Sequence, residues 1–345
     1  NSMKKLLGAL MVCLSMICGA SALAADKQLR IGTLVPKNSL YHRQLMELGE
    51  VWRTAQGGNS RYLVYPDGSQ GGEAEMVRRM RIGQLQGALM SVVGLREIEV
   101  SVAAMQNMPM LFRSWEEVDY VREKIRPVME KKFFDKGFVV LAWGDAGWVR
   151  FFSKEPAFRP DDFKRMKFFA WGSETEQQDI MKSLGYTPVP LETGDILPAI
   201  QTGMISVVPS TPYFALAGQI YNTAPNMLEI NWAPIVGALV ITRKAWDDMS
   251  PEVQAAMRAA SDKAGVNLRA QARLEVDEAV AAMKKRGLVV NKPNAEQMRE
   301  WNDLADKLYP RIRGSMVPAD TFDEVMRHLK AYRTQAGSGT GTKAP

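Results

Sequence analysis

Apolar and polar residues follow two rhythms along this chain, and the rhythms take turns. Leu29–Val35 is a β-type run, and after the loop Pro36–Leu40 the stretch Tyr41–Thr54 has the apolar spacing of an amphipathic helix. Arg61–Tyr65 predicts a second strand, the turn Pro66-Asp67-Gly68 follows, Glu73–Ile82 reads as a helix closed by Gly83, and Ala88–Val93 is apolar enough for a buried strand. Phe138–Trp143 is a further strand, which Trp148–Ser153 extends past Gly147, and Lys167–Ala170 is another. Ser173 and Glu176 have the spacing of a capping box, which predicts a helix over Glu174–Leu184. Gly194–Thr202 reads as a helix stopped by Gly203, leading into strand Ile205–Val208, and Ile235–Thr242 returns as a strand. Ser250-Pro251 opens a long helical stretch to Arg286, with helices at Ala295–Leu308 and Asp320–Thr334 beyond it. Strands alternating with helices define an α/β fold.

Length sharpens this picture. With 345 residues, 46% of them hydrophobic and 24% charged, the chain can build two lobes with separate cores, which excludes collagen, coiled coil and wholesale disorder. The net charge of +6 is interspersed, so no nucleic-acid arm is expected. Lys4 and Lys5, an apolar stretch Leu6–Cys18 and the small-x-small site Ala22-Leu23-Ala24 read as a secretory signal over 1–24, with Asn1 and Ser2 an expression remnant ahead of Met3. No later segment offers a membrane span, so the mature chain is expected to be a soluble periplasmic protein. Both cysteines, Cys13 and Cys18, fall within the signal, which leaves a mature protein without a thiol.

The inventory for catalysis is thin. His42 and His328 are the only histidines, and there is no zinc-ligand cluster, Gly-rich phosphate loop or Gly-x-Ser-x-Gly turn. The carboxylate pairs Glu73/Glu75 and Glu116/Glu117 read as solvated helix faces. No enzyme activity, metal or cofactor is expected.

Several blocks carry a resemblance. Asn107-Met108-Pro109-Met110-Leu111-Phe112-Arg113-Ser114-Trp115-Glu116-Glu117 resembles the Leu-Pro-Phe-Leu-Phe-Arg-x-x-Glu signature of the substrate-binding proteins of tripartite ATP-independent periplasmic (TRAP) transporters, the C4-dicarboxylate-binding family. Val64–Gly72, Gly137–Gly147, Pro160–Lys167, Leu184–Gly203 and Lys244–Val253 are similar to further family blocks, in the family's order. The resemblance implies a two-lobed periplasmic binding protein of type II-like architecture, with a ligand cleft between the lobes and a long helix spanning both. It implies lobe I over 25–144, lobe II over 145–234, a segment 235–336 holding the returning lobe I strand, the spanning helix and the C-terminal helices, and a flexible tail over 337–345. Its partners would be a small-molecule ligand and TRAP-type membrane permease subunits.

The chain departs from the family where anions are held. The family's carboxylate-binding arginine in Lys-(Ile/Leu)-Arg corresponds to Phe169 in Lys167-Phe168-Phe169, and a second family arginine corresponds to Val149, with Arg150 one residue late. Because strand side chains alternate faces, Arg150 is expected to point away from the cleft unless a bulge intervenes. These exchanges favour an apolar or aromatic ligand, with Trp148, Phe169, Trp171, Tyr213 and Trp232 as cleft walls, each of which is open to a core reading. Ser210, Thr211 and Asn226 are candidates for neutral hydrogen bonds, and Glu73 and Arg79 for first-lobe polar contacts. Two other functions stay open: a lipid-like-molecule shuttle or efflux accessory on the same fold, and a carboxylate binder using Arg150.

Overall fold

The computed structural model describes residues 27–338; the signal expected over 1–24 and residues 339–345 lie outside them. In chain order, the first lobe runs β1 (Lys27–Thr33), α1 (Leu40–Gln56), β2 (Ser60–Tyr65), α2 (Glu73–Arg81), β3 (Gly87–Ser91), the single turn α3 (Val92–Leu95) and α4 (Trp115–Asp135). β4 (Phe138–Trp148) then crosses into the second lobe and continues as β5 (Arg150–Ser153). There follow β6 (Lys167–Trp171), α5 (Thr175–Ser183), β7 (Thr187–Leu191), α6 (Ile196–Thr202), β8 (Val207–Ser210), α7 (Pro212–Ala217) and β9 (Asn226–Leu228). β10 (Pro234–Thr242) crosses back, and α8 (Arg243–Asp247), α9 (Pro251–Lys284), β11 (Val289–Asn291), α10 (Ala295–Ile312) and α11 (Ala319–Ser338) complete the chain.

Strand order is β2-β1-β3-β10-β4 in the first sheet and β11-β9-β5-β8-β6-β7 in the second. The crossing is a two-stranded ribbon: Val149 N–H donates to Ala233 O at 2.8 Å and Trp232 N–H to Val149 O at 3.2 Å, so the ladder stays paired as it leaves one sheet for the other. Gly147 sits here with φ of 100°, and a Cβ would lie 3.2 Å from Val276 on α9, so only glycine fits.

α9 starts where the sequence signals it, with the Ser250 side chain accepting from Val253 N–H and Pro251 in the first turn. Its 34 residues extend about 51 Å at 1.5 Å per residue. That length lets Val253 and Met257 pack into the first lobe's core while Met283 packs into the second's.

Three expectations need adjusting. The returning segment serves both lobes: β11 pairs in parallel with β9, and Trp301 of α10 packs on Phe151 and Phe163 and donates Nε1–H to Phe158 O at 2.8 Å. α5 is not opened by a Ser173 capping box; Glu174 stands at the cap without a side-chain bond to the helix. α11 continues through Gly337 and Ser338, two residues into the stretch read as a tail.

Candidate functional site: an apolar cavity between the lobes

β6 and β8 run parallel, and their carboxyl ends, together with the crossing ribbon, open onto a cavity of about 200 Å³. This is where open α/β sheets generally receive ligands. Phe169, Trp171 and Pro209 come from the strand ends, and Val149, Trp232 and Ile235 from the crossing. Val93 of α3, Asn107 and Pro109 form the first-lobe wall, and beyond them the lining continues along α5, with Ile180 and Met181, and along α10, with Leu304 and Leu308.

Among the described residues, this lining contains no Lys, Arg or His, and its one carboxyl is Glu174. Burial pushes the Glu174 acid up to about 7, with Arg96 opposing the shift and Glu73 and Glu97 adding to it. The other polar groups are neutral. Gln106 is fixed through its Oε1, which accepts from Val236 N–H at 3.1 Å, whereas Asn107 Nδ2 is buried with no hydrogen-bond partner. A buried donor of that kind has lost its water and gained nothing in return, so a ligand acceptor can supply what is missing.

Of the residues singled out from sequence, Phe169, Val149, Trp171 and Trp232 lie together in the lining. Phe169 is also core: its ring meets Trp171 edge-on with centroids 4.8 Å apart and belongs to the second lobe's inner cluster. Trp148 lies outside the lining, packed on Trp115 at 4.6 Å in the first lobe's core. Tyr213 packs on Tyr41 and Phe214, where α7 meets α1. Thr211 caps α7, accepting from Phe214 N–H, and Ser210 turns its hydroxyl to Thr211 O.

Arg150 also lies outside the lining. Pairing of β5 with β8 is unbroken from Arg150↔Ser210 onward, so with Val149 and Phe151 on the cavity side, alternation puts Arg150 on the other face. There Glu229 and Asp277 are the acids whose charge reaches it, and its Nε is buried without a partner.

Glu73 is buried and structural: it accepts from Ser91 N–H, Ser91 Oγ–H and Gly94 N–H, each at 2.8 Å, tying α2 to the β3–α3 turn. Arg79 bonds Glu75 and Gln70, and Asn226 Nδ2 donates to Lys154 O. His42 lies in the first turn of α1, and His328 is within 3.5 Å of Glu324 on α11. Among the described residues, no group of three or more His, Cys, Asp or Glu could hold a metal, and no helix is long and apolar enough to cross a membrane.

Sequence reasoning missed Asn107, Glu174 and the α10 stripe. Asn107 lay within a stretch noticed only for its likeness to a family block, and Glu174 read as an ordinary first-turn helix residue. Nothing in a polar-apolar pattern shows that a helix some 130 residues downstream returns to wall the cavity.

Two α/β lobes joined by crossing strands and a shared helix, with a cavity at the crossing, form a solute-binding protein. The family described as bacterial extracellular solute-binding protein, family 7, matches residues 31–314, and the chain belongs to it. The chain is similar to the C4-dicarboxylate-binding periplasmic protein DctP of Rhodobacter capsulatus, at 21% identity over 92% of this chain and 97% of the relative. Among solved structures it resembles a TRAP periplasmic solute-binding protein from Shewanella oneidensis with bound succinate, with a TM-score of 0.80 at 16% identity over 88% of this chain and 100% of that one. It also resembles one from Ralstonia eutropha H16 with bound (S)-2-acetolactate, with a TM-score of 0.81 at 16% identity over 88% and 99%. The chain is therefore a member of a family of extracellular solute-binding proteins, which are binding proteins and not enzymes.

Proposed function

We propose that this protein captures an uncharged apolar or aromatic solute and presents it to the integral membrane subunits of a TRAP transporter. The observation that carries the reading is the absence of any basic side chain among the described residues lining the cavity, where Val149 and Phe169 stand at positions at which the sequence resemblance leads one to expect arginine. A guanidinium fork makes two parallel hydrogen bonds to a carboxylate, and neither Val nor Phe can replace them. A carboxylate enclosed here would lose several kcal/mol of hydration without compensation. It would also bring a second acid beside Glu174. An apolar solute gains roughly 25 cal/mol per Å² of surface covered.

The solutes bound by the structural neighbours above are acids, so the discriminating experiment sets succinate against apolar compounds. Native mass spectrometry of freshly purified protein should reveal a co-purified neutral molecule. Thermal denaturation should show stabilisation by apolar compounds and none by succinate. Phe169→Arg should abolish binding of the apolar compound. Saturable low-micromolar succinate binding by the unmodified protein would overturn the reading.

A further inference from the structure

Glu174 is 5% exposed and lines the cavity, and among the described residues no donor bonds its carboxyl. Its position is nonetheless fixed: Trp171 O accepts from Glu174 N–H at 3.1 Å and from Gln178 Nε2 at 2.8 Å, which braces the turn between β6 and α5. The side chain is not spent on the helix, because α5 starts without a side-chain cap bond. Other buried carboxyls of this protein are answered from within. Glu73 accepts from Ser91 and Gly94, and Glu117 from Arg113 N–H and the Arg333 guanidinium. An acid that has left water for a binding cavity and found no partner there can take one from a solute.

The surroundings of Glu174 decide which partner suits it. Among the described residues, Arg96 is the cation whose charge reaches it, 3.8 Å from Glu176 on the same helix, while Glu73 and Glu97 of the first lobe add negative charge. Burial is the largest influence and pushes the acid up to about 7, so both of its forms count near neutral pH. The protonated acid donates through its hydroxyl and accepts through its carbonyl, whereas the ionised one only accepts. A ketone or ether oxygen answers the protonated form alone. A carboxylate would set a second negative charge beside the ionised form. An ammonium needs the acid ionised and must itself give up water among Phe169, Trp171 and Trp232. An amide serves both forms, because its N–H and C=O lie side by side. It closes a two-bond ring with the protonated acid and gives its N–H to the ionised one.

We infer that the solute carries an uncharged amide, a carboxamide or lactam, which pairs with the Glu174 carboxyl while its apolar body covers the cavity's aromatic and aliphatic walls. This rests on the apolar reading above and specifies it, with Glu174 as the residue that sets specificity.

Four single-ring probes of one size separate the possibilities: benzamide, acetophenone, benzoate and benzylamine. Each is titrated against the full chain by nuclear magnetic resonance, after removal of co-purified material, at about pH 5.5 and about pH 8.5, either side of the Glu174 value. Benzamide should bind roughly threefold to tenfold more tightly than acetophenone at the lower pH. The gap should widen at the higher pH, where acetophenone has lost the Glu174 hydroxyl and benzamide keeps its N–H bond. Benzoate and benzylamine should not bind measurably at the higher pH. Glu174→Gln, whose side chain donates and accepts at every pH, should hold benzamide within about threefold and flatten the pH dependence of acetophenone. Glu174→Leu should abolish the preference for benzamide over acetophenone, whereas a residue that only supported the fold would weaken both probes alike. Folding of both variants is checked by circular dichroism, and the pH profile of Glu174→Gln provides the test if Glu174→Leu misfolds. Acetophenone binding as tightly as benzamide at both pH values, a Glu174→Leu protein that still prefers the amide, or failure of benzamide to bind would overturn the inference and leave the apolar reading to its own test. Benzoate or benzylamine binding more tightly than both neutral probes would overturn the inference and remove the uncharged reading with it.

Discussion

Glu174 shows how a residue that lines the cavity bears on stability. Its carboxyl lies in the cavity lining, 5% exposed, and burial raises its pKa from 4.5 to about 7. The folded state therefore holds the proton more tightly than the unfolded chain does. Stability is fully present below the unfolded value and is lost as pH rises from about 4.5 through about 7, by an amount on the order of 3 kcal/mol once the group is ionised. Glu174→Gln keeps the shape and removes the ionisation. The variant should melt several degrees above the unmodified protein at pH 8 and within a degree or so of it at pH 4.5, as followed by circular dichroism. Equal melting temperatures at both pH values would show that the carboxyl is not desolvated as the geometry requires. The sequence could not disclose this, because a glutamate near a helix start is unremarkable until the lobe opposite covers it.

At the scale of elements, the spanning helix is held to the crossing strand by a buried ionic cluster. Asp145, near the end of β4, accepts from Arg122 Nη1 of α4 at 2.6 Å and from Arg273 Nη2 of α9 at 2.8 Å. Arg273 also pairs with Asp119 at 2.7 Å and lies over the Trp115 ring at 4.9 Å. The Asp145 carboxyl is fully enclosed and the Arg122 side chain is 3% exposed, so removing one partner strands a buried charge. Arg122→Met should cost about 3–5 kcal/mol in urea unfolding. A loss below about 1 kcal/mol would mean that Arg273 alone satisfies Asp145. Which parts of this were legible follows from the range of the signal. Ser250-Pro251, the Gly203 stop and the strand Ile235–Thr242 are local patterns, and the elements form close to where those patterns place them. β11 is three residues long and exists because β9 offers an edge, and Arg122, Asp145 and Arg273 are brought together only by the packing of three elements. Pattern within a window reads the first kind and is blind to the second. The same division holds at the site: likeness to the family's motifs singled out Phe169 and Val149, whereas the tryptophans, identical in type, divided between cavity wall and core according to packing across the lobes.

For the whole molecule, what matters is that the lobes touch. Arg96 of the first lobe reaches Glu176 of the second at 3.8 Å, Tyr41 meets Tyr213 and Phe214, and a Cβ on Gly72 would lie only 2.4 Å from Glu192 Oε2. These contacts link the lobes at sites distant from each other in sequence, while the chain itself connects them through the crossing segments, the spanning helix and α10, whose Trp301 packs in the second lobe and whose Leu308 and Ile312 pack in the first. Contacts of this size are weak: the Glu176 side chain of the ion pair is 52% exposed, and exposed pairs contribute about 0–1 kcal/mol. A solute in the cavity adds contacts to both lobes at once, and that difference in affinity between open and closed arrangements is what shifts the population. The ligand-free protein in solution should therefore scatter X-rays with a radius of gyration larger than that of the arrangement described here, and a saturating apolar compound, chosen by its stabilisation of the protein in thermal denaturation, should reduce it to that value. If the ligand-free protein already has the compact radius, closure is not coupled to capture, and the lobes form a rigid frame around a preformed cavity.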